Sequence, residues 1–516
     1  MKNKILSIIL EVLIIGIAYY LFLPAINPTV FSFWAFLIFA IIVVWVISSF
    51  SDIVNTNYNL VKKVRDLPKK TLLCMSIICI IMVGTCVINF IVGPFFNAKS
   101  YSERIEVVDG VFTDDIKEVD FSKVPLLDKD SSEKVGDRIM GQYSEYVSQF
   151  YVSDEYTQIN YNDEIVRVTP LEYDGFIKWL SNKKNGIGAY ITVNSVNGEV
   201  NLVKLEKGMK YLKSAYFNSN LRRKLRFTYL FTNFGEAKFE VDNEGNPYYI
   251  IPTLGYTGVG RKTKVTGAVI FDPVTGKSNK YKLEDIPTWV DNVYQASLVI
   301  EQVNDWGTYK KGFFNSIFGQ KEVVNTTEGY NYLALEDDIY LYTGITSVLS
   351  DESNLGFILT NLRTGKTKFY NVPGAEEYSA MDSAKGQVQQ MNYTSTFPLL
   401  INLAGKPTYL VSLKDNAGLV KMYAFVDVTD YQKVVVTDAS LGINKAAANY
   451  LSSNPSSKGK DIKAKEITIS KITNAVKDGN TYYYITDTEG NRYVANINIS
   501  DMLPFASNGT NLKIES

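Results

Sequence analysis

The sequence predicts an α+β protein: three N-terminal transmembrane helices, an extracytoplasmic region of repeated helix/β-hairpin units, and a small all-β segment at the C-terminus. Three observations carry this. Long apolar runs fill the first 96 residues. The phrase "FDPVTGKSNKY" at 271–281 returns as "TNLRTGKTKFY" at 360–370. The last 56 residues, 461–516, alternate apolar and polar side chains between turn residues, the period of strands.

The apolar runs Ile5–Leu23, Phe31–Phe50 and Leu72–Phe96 each reach the ~20 residues that span a bilayer core. The first connection, "PAINPTV", is uncharged; the second carries Lys62, Lys63, Arg65, Lys69 and Lys70. Positive loops stay cytoplasmic, so the N-terminus is expected inside and everything after residue 96 outside. No small-x-small cleavage site follows the first run, so it reads as an anchor rather than a removable signal. Cys74, Cys79 and Cys86 all fall in the third run, and an exterior of this size can fold without disulfide staples. Residues 1–96 hold seven Lys/Arg and three Asp/Glu, leaving 46 basic and 51 acidic residues outside. That mild acidity argues against nucleic acid as a partner. Glu11, the one acid within a span, is a candidate functional intramembrane carboxylate, set against a side chain that reaches the headgroups.

Residues 97–130 read as a polar stalk. The region 131–451 follows, with a helix opening at Ser131 behind "DSSE", its face Val135, Ile139, Tyr143, Val147 and Phe150. A helix around 171–181 is expected to place Tyr173, Phe176, Ile177 and Leu180 on one face. The hairpin "AYITVNSVNGEVNLVKL" turns at Asn197-Gly198, the strongest short hairpin signal. "NSNLRRKLRF" is helical, and strand–turn–strand pairs recur to "PTYLVSLKDNAGLVKMYAFVDV". At an offset of 89, Gly267, Asp272, Gly276, Lys277 and Tyr281 align with Gly356, Asn361, Gly365, Lys366 and Tyr370. A linker at 452–460 precedes the β segment at 461–516.

The tetrapeptide T-G-K-S suggests a phosphate loop, but the glycine that such a loop needs is Phe271 in one copy and Thr360 in the other. Strands rather than helices follow, so no nucleotide site is expected; Gly supplies positive φ at a turn.

The stretches "VSDEYTQINY", "TPLEYDGFIKWL", "FFNSIFGQK", "LYTGITSV", "GAEEYSAMDSA" and "LVKMYAFVDV" resemble a family of Gram-positive bacterial membrane proteins with a large extracytoplasmic region. That resemblance implies no activity and no catalytic residue. The helix-then-hairpin units, with Asp272–Lys277 as their turn, are similar to PepSY domains, which occur in protease propeptides and in membrane-anchored regulators of envelope enzymes. The C-terminal segment resembles a small OB-like barrel.

Histidine is absent, which removes Ser-His and Cys-His nucleophile pairs and the commonest zinc ligand. No metal or cofactor is expected. Carboxylate chemistry is left to Glu336, Asp337 and Asp338, and to Asp351 and Glu352 in an expected turn; solvated loop acids are the alternative. Ser-x-x-Lys spacings at Ser131/Lys134, Ser181/Lys184 and Ser457/Lys460 match chance. Two candidate binding sets remain. Arg222, Arg223, Lys224 and Arg226 could grip an anionic partner, such as lipid headgroups or wall polymer, or be a solvated face. Tyr482 and Tyr484 could form a stacking platform.

The expectation is a non-enzymatic, membrane-anchored envelope protein that binds membrane lipids and a protein partner. The alternatives are a carboxylate-dependent wall or glycan hydrolase and an accessory subunit of a transporter or channel.

Overall fold

A computed structural model describes residues 2–54, 60–348, 350–454, 464–477, 480–497, 500 and 502–515. The chain is mixed α+β, with three apolar helices followed by a β-rich region. Helices α1 (Lys2–Phe22), α2 (Phe31–Val54) and α3 (Leu60–Ile91) are long and apolar enough to cross a membrane, and at most 6% of each apolar stretch is buried. The third helix ends at Ile91, short of the expected Phe96. Gly93 and Pro94 break the backbone there, and α4 (Pro94–Ser102) begins with proline in its first turn, where the missing N–H costs nothing.

Residues 97–130 are not a stalk. Strand β1 (Val107–Gly110) pairs in parallel with a strand near residue 368, and the short α5 (Phe112–Asp115) follows. Phe112, Ile116, Val124 and Leu126 are core residues. Polar composition concealed this, because the apolar anchors are single residues spaced between charges.

The body contains four sheets of the same core strand connectivity, each defining a unit. Unit 1 has α6 (Lys129–Met140), α7 (Ser144–Val147), β2 (Phe150–Val152), β3 (Thr157–Tyr161), β4 (Glu164–Tyr173), α8 (Phe176–Asn182), β5 (Ile187–Asn194) and β6 (Val200–Met209). Unit 2 has α9 (Leu221–Thr228), β7 (Asn233–Phe234), β8 (Lys238–Val241), β9 (Pro247–Gly255), β10 (Lys264–Phe271) and β11 (Ser278–Lys282). Unit 3 has α10 (Ala296–Tyr309), β12 (Val324–Thr326), β13 (Asn331–Leu335), β14 (Asp338–Ser347), β15 (Ser350–Asn361) and β16 (Thr367–Tyr370). Strand β17 (Gly374–Ala375) joins the sheet of unit 3 beside β15, and unit 4 follows with α11 (Glu377–Gly386), β18 (Thr394–Ser395), β19 (Leu399–Leu403), β20 (Lys406–Lys414), β21 (Val420–Asp427) and β22 (Val434–Asp438), then α12 (Ile443–Ser453). In each unit two short strands share one edge of a long strand, and two further antiparallel strands follow on its other side.

One closure recurs in all four. The residue at the end of the second long strand, or in unit 2 just past it, is Asn194, Asp272, Asn361 or Asp427. Its Oδ1 accepts the N–H two residues on, at 2.9, 2.8, 3.0 and 2.8 Å. The carbonyl of the next residue (Ser195, Pro273, Leu362, Val428) then accepts an N–H from just ahead of the unit's own helix region. The donors are Leu127, Tyr211, Tyr294 and Ala375, at 2.9, 3.0, 2.7 and 2.7 Å. Each helix region is thereby pinned to its own sheet.

Other expectations shift. The long helix expected from Ser131 breaks into α6 and α7, and Phe150 begins a strand. Asp128 caps α6 by accepting from Ser131 at 3.0 Å. The 171–181 helix is shorter, with Tyr173 a buried strand residue; Trp179 is the buried one on α8, while Phe176, Ile177 and Leu180 are exposed. Asp351 and Glu352 lie in strand β15 rather than a turn.

Residues 455–463, most of the expected linker, lie outside the described residues, as do Ser457 and Lys460; residues 452 and 453 belong to α12. The C-terminal segment is a four-stranded antiparallel sheet, ordered β25 (Arg492–Asn496), β24 (Asn480–Asp487), β23 (Ala464–Lys477) and β26 (Asn511–Glu515). Among the described residues β25 and β26 are not paired with each other, so this sheet is not closed into a barrel.

Candidate functional site

The basic run of the sequence lies where the body meets the spans. Asn220 caps α9, its Oδ1 accepting from Arg223 at 3.1 Å. The helix buries Leu221, Leu225 and Arg226. Arg226 donates through Nε to the Leu23 carbonyl at the end of α1 (3.2 Å) and through Nη1 to Tyr229, Leu230 and Thr232 (3.2, 3.3 and 2.8 Å). One guanidinium thus caps the C-terminal ends of both α1 and α9, where unpaired carbonyls and the helix dipole favour a cation. Arg222 donates to Phe22 (3.3 Å) and Arg223 to Tyr20 (3.4 Å), and Arg223 lies 4.2 Å from the Tyr20 ring centroid. Lys224 lies over the Tyr211 ring instead.

Further contacts fasten the same junction. The Asn89 side-chain amide, near the end of α3, donates to the Val259 carbonyl and accepts its N–H, at 2.9 and 2.8 Å. Ile26 donates to Leu230 and Gly260 to Thr29, at 2.9 and 2.8 Å. Behind α4, buried Arg104 pairs with Glu301 at 2.7 Å and with Asp305 of α10, and donates to Thr263 at 3.0 Å. Sequence reasoning missed Asn89 and Arg104. A carboxamide near the end of an apolar run, and an arginine just beyond it, were the available signals.

The contacts of α9 with the end of α1 border an open cavity of about 920 Å³, with Phe22 and Phe31 on the span side and Arg222, Arg223 and Arg226 on the body side. Among the described residues no carboxylate comes within ion-pairing distance of Arg222, Arg223, Lys224 or Arg226, unlike Arg104 and Arg363. Arg222 and Arg223 give the recess a positive side without an ion-pair partner among the described residues, against apolar helix ends, while Lys213, which also lines it, pairs with Glu155.

The candidate carboxylates go elsewhere. Asp338 is held by Arg363 through Nε and Nη2, both at 2.7 Å, and by Asn361 at 2.7 Å. Asp337 accepts from Asn160 at 3.3 Å, and Glu336 faces Lys117 at 3.6 Å. No side-chain geometry is described for Asp351 and Glu352. Deeper in the junction of units 1, 2 and 3 lie Glu240 and Asp291, both buried. Glu240 accepts the N–H groups of Asp291 and Asn292 at 2.9 and 2.8 Å; Asp291 accepts that of Asn160 at 2.7 Å. Burial pushes Glu240 up to about 7. Burial, and then the Glu240 charge, raise Asp291 well above the usual carboxylate range. The pair was invisible in the sequence, 51 positions apart and each within an ordinary strand or loop.

In the terminal sheet Tyr483 and Ile485 turn into the small core, so Tyr482 and Tyr484 share the opposite face, with Tyr484 exposed. Glu11 lies midway along α1, ~16 Å from Phe22 at 1.5 Å per residue, and is not brought to the arginines. In the T-G-K turns the N–H groups of Val274 and Thr275, and of Arg363 and Thr364, donate to Asp272 and Asn361. They are committed to the turn rather than to a phosphate.

No family model matches the chain, and no curated protein matches it. Among solved structures, the "Crystal structure of polysaccharide lyase Uly1" aligns at 10% identity over 68% of this chain and 77% of that one, with a TM-score of 0.16. A score that low carries no statement about fold or activity.

Proposed function

We propose that the protein is a membrane-anchored, extracytoplasmic scaffold of the bacterial envelope that binds a protein partner and performs no catalysis itself. The observation that carries this reading is the outer face of the terminal sheet. Tyr484 is 42% exposed and Val494, its direct partner across the ladder, is 53% exposed. An exposed tyrosine of this kind is among the residue types enriched at the centre of protein interfaces. The four helix-and-sheet units fit the PepSY-like reading, in which such modules serve regulators of envelope enzymes. The hydrolase alternative loses support from Asp338, which Arg363 and Asn361 hold in hydrogen bonds of 2.7 Å. The transporter-subunit alternative rests on Glu11 and the three spans.

The test is capture of crosslinked partners by the full chain in its native membrane, compared with Tyr484→Ser/Val494→Ser. The reading expects one reproducible protein partner whose recovery drops at least ten-fold in the variant, with unchanged circular dichroism. Equal recovery by the variant, or no reproducible partner, contradicts it. Digestion of wall material by the purified full chain, lost in Asp338→Asn, would favour the hydrolase.

A further inference from the structure

We propose that the cavity at the span–body junction is a binding site for an anionic phospholipid, whose phosphate is taken by Arg222 and Arg223 and whose acyl chains lie along α1 and α2. This goes beyond the scaffold reading and does not depend on a protein partner.

The charge argument comes first. Four cations occupy five consecutive positions, Arg222 to Arg226, on an eight-residue helix. Among the described residues none has a carboxylate partner, and the guanidinium contacts of Arg222 and Arg223 to the spans, at 3.3 and 3.4 Å, are to carbonyls. Arg226 is buried and committed to four carbonyls. Arg222 is exposed and Arg223 half-exposed, each with donors to spare, since a guanidinium carries five. Planar forks of this kind match a phosphate in two hydrogen bonds.

The surroundings select a lipid phosphate. About 920 Å³ is far more than a lone anion fills, and the wall opposite the arginines is Phe22, Phe31 and the ends of apolar helices. Aromatic side chains ring this level: Phe217 is 56% and Phe231 66% exposed, and Phe227 meets the rings of Tyr19 and Tyr20. Phe217 in turn touches Phe176 of α8, whose neighbour Ile177 is 67% exposed. Exposed aromatic and aliphatic groups beside cations, at the mouth of membrane helices, are the composition of a bilayer interface. A headgroup at that depth needs no acid from the protein, because the lipid supplies the counter-charge.

The full chain, stripped of native lipid in detergent, is titrated with short-chain phosphatidylglycerol, phosphatidylcholine of the same chain length, and inorganic phosphate, and bound species are counted by native mass spectrometry. Expected are one tight phosphatidylglycerol, at least ten-fold preferred over phosphatidylcholine, and no competition from inorganic phosphate. Arg222→Gln/Arg223→Gln should reduce the preference at least ten-fold with circular dichroism unchanged. Arg222→Gln alone, at an exposed position, should weaken it measurably. Lys421→Gln/Lys445→Gln in unit 4 should leave it intact. Equal binding of the two lipids, or full preference in the double variant, overturns the site. Displacement by inorganic phosphate at comparable concentration assigns it to a free anion and overturns the lipid.

Discussion

Glu240 and Asp291 contribute to the pH response of the body. Unfolded, both carboxyls titrate near their usual value of about 4. Folded, burial pushes Glu240 up to about 7 and, with the Glu240 charge, raises Asp291 as well. Between those values the native state holds more protons than the unfolded one, so stability falls as pH rises from about 4.5 through 7. Thermal denaturation of the full chain should give a lower midpoint at pH 8 than at pH 5.5. Asp291→Asn, which keeps the acceptor for Asn160, should flatten that difference; an unchanged difference would place its origin elsewhere. The pair was hidden because contact between residues 51 apart is made by the fold. The basic run at 222–226 was legible as charge, but its place against α1 depends on how unit 2 sits on the spans. Phe176, Ile177 and Leu180 mark a second limit. Helical spacing finds an apolar face, but it does not show whether the fold buries that face.

At the scale of elements, the repeated turn is the key to the architecture. Gly276 and Gly365 have φ of +73° and +74°, and an added Cβ would stand 2.5 Å from the Tyr211 ring in one case and against the Tyr294 ring in the other. Both tyrosines are the residues that pin the helix region to the sheet. Gly276→Ala and Gly365→Ala should therefore each cost about 1–3 kcal/mol, measured by chemical denaturation. Gly312→Ala, with positive φ but open space around it, should cost less than either. Two copies were legible because both keep T-G-K. Unit 1 fits more loosely, with Asn197-Gly198 in its place. Unit 4 closes at Asp427–Lys433, which contains no glycine, so the sequence pointed instead to "KDNAGL". That turn joins β20 to β21 and is equivalent to the β9–β10 connection.

Across the whole molecule, the three apolar helices and the β-rich body are one assembly. The three spans were legible from hydropathy alone, because length and apolar character are local properties. Their attachment was not: Asn89, Arg104 and Arg226 are single polar residues whose partners lie 170, 197 and 203 positions away. A stalk would let the body swing, whereas these contacts fix it. The most direct test is an electron–electron distance measurement in lipid nanodiscs. Nitroxides would be placed at Ile26→Cys and Lys280→Cys, with Cys74, Cys79 and Cys86 replaced by serine. A fixed junction predicts one narrow distance distribution, broadened by Arg226→Gln. A broad distribution in the parent chain, or a narrow one untouched by Arg226→Gln, would contradict it.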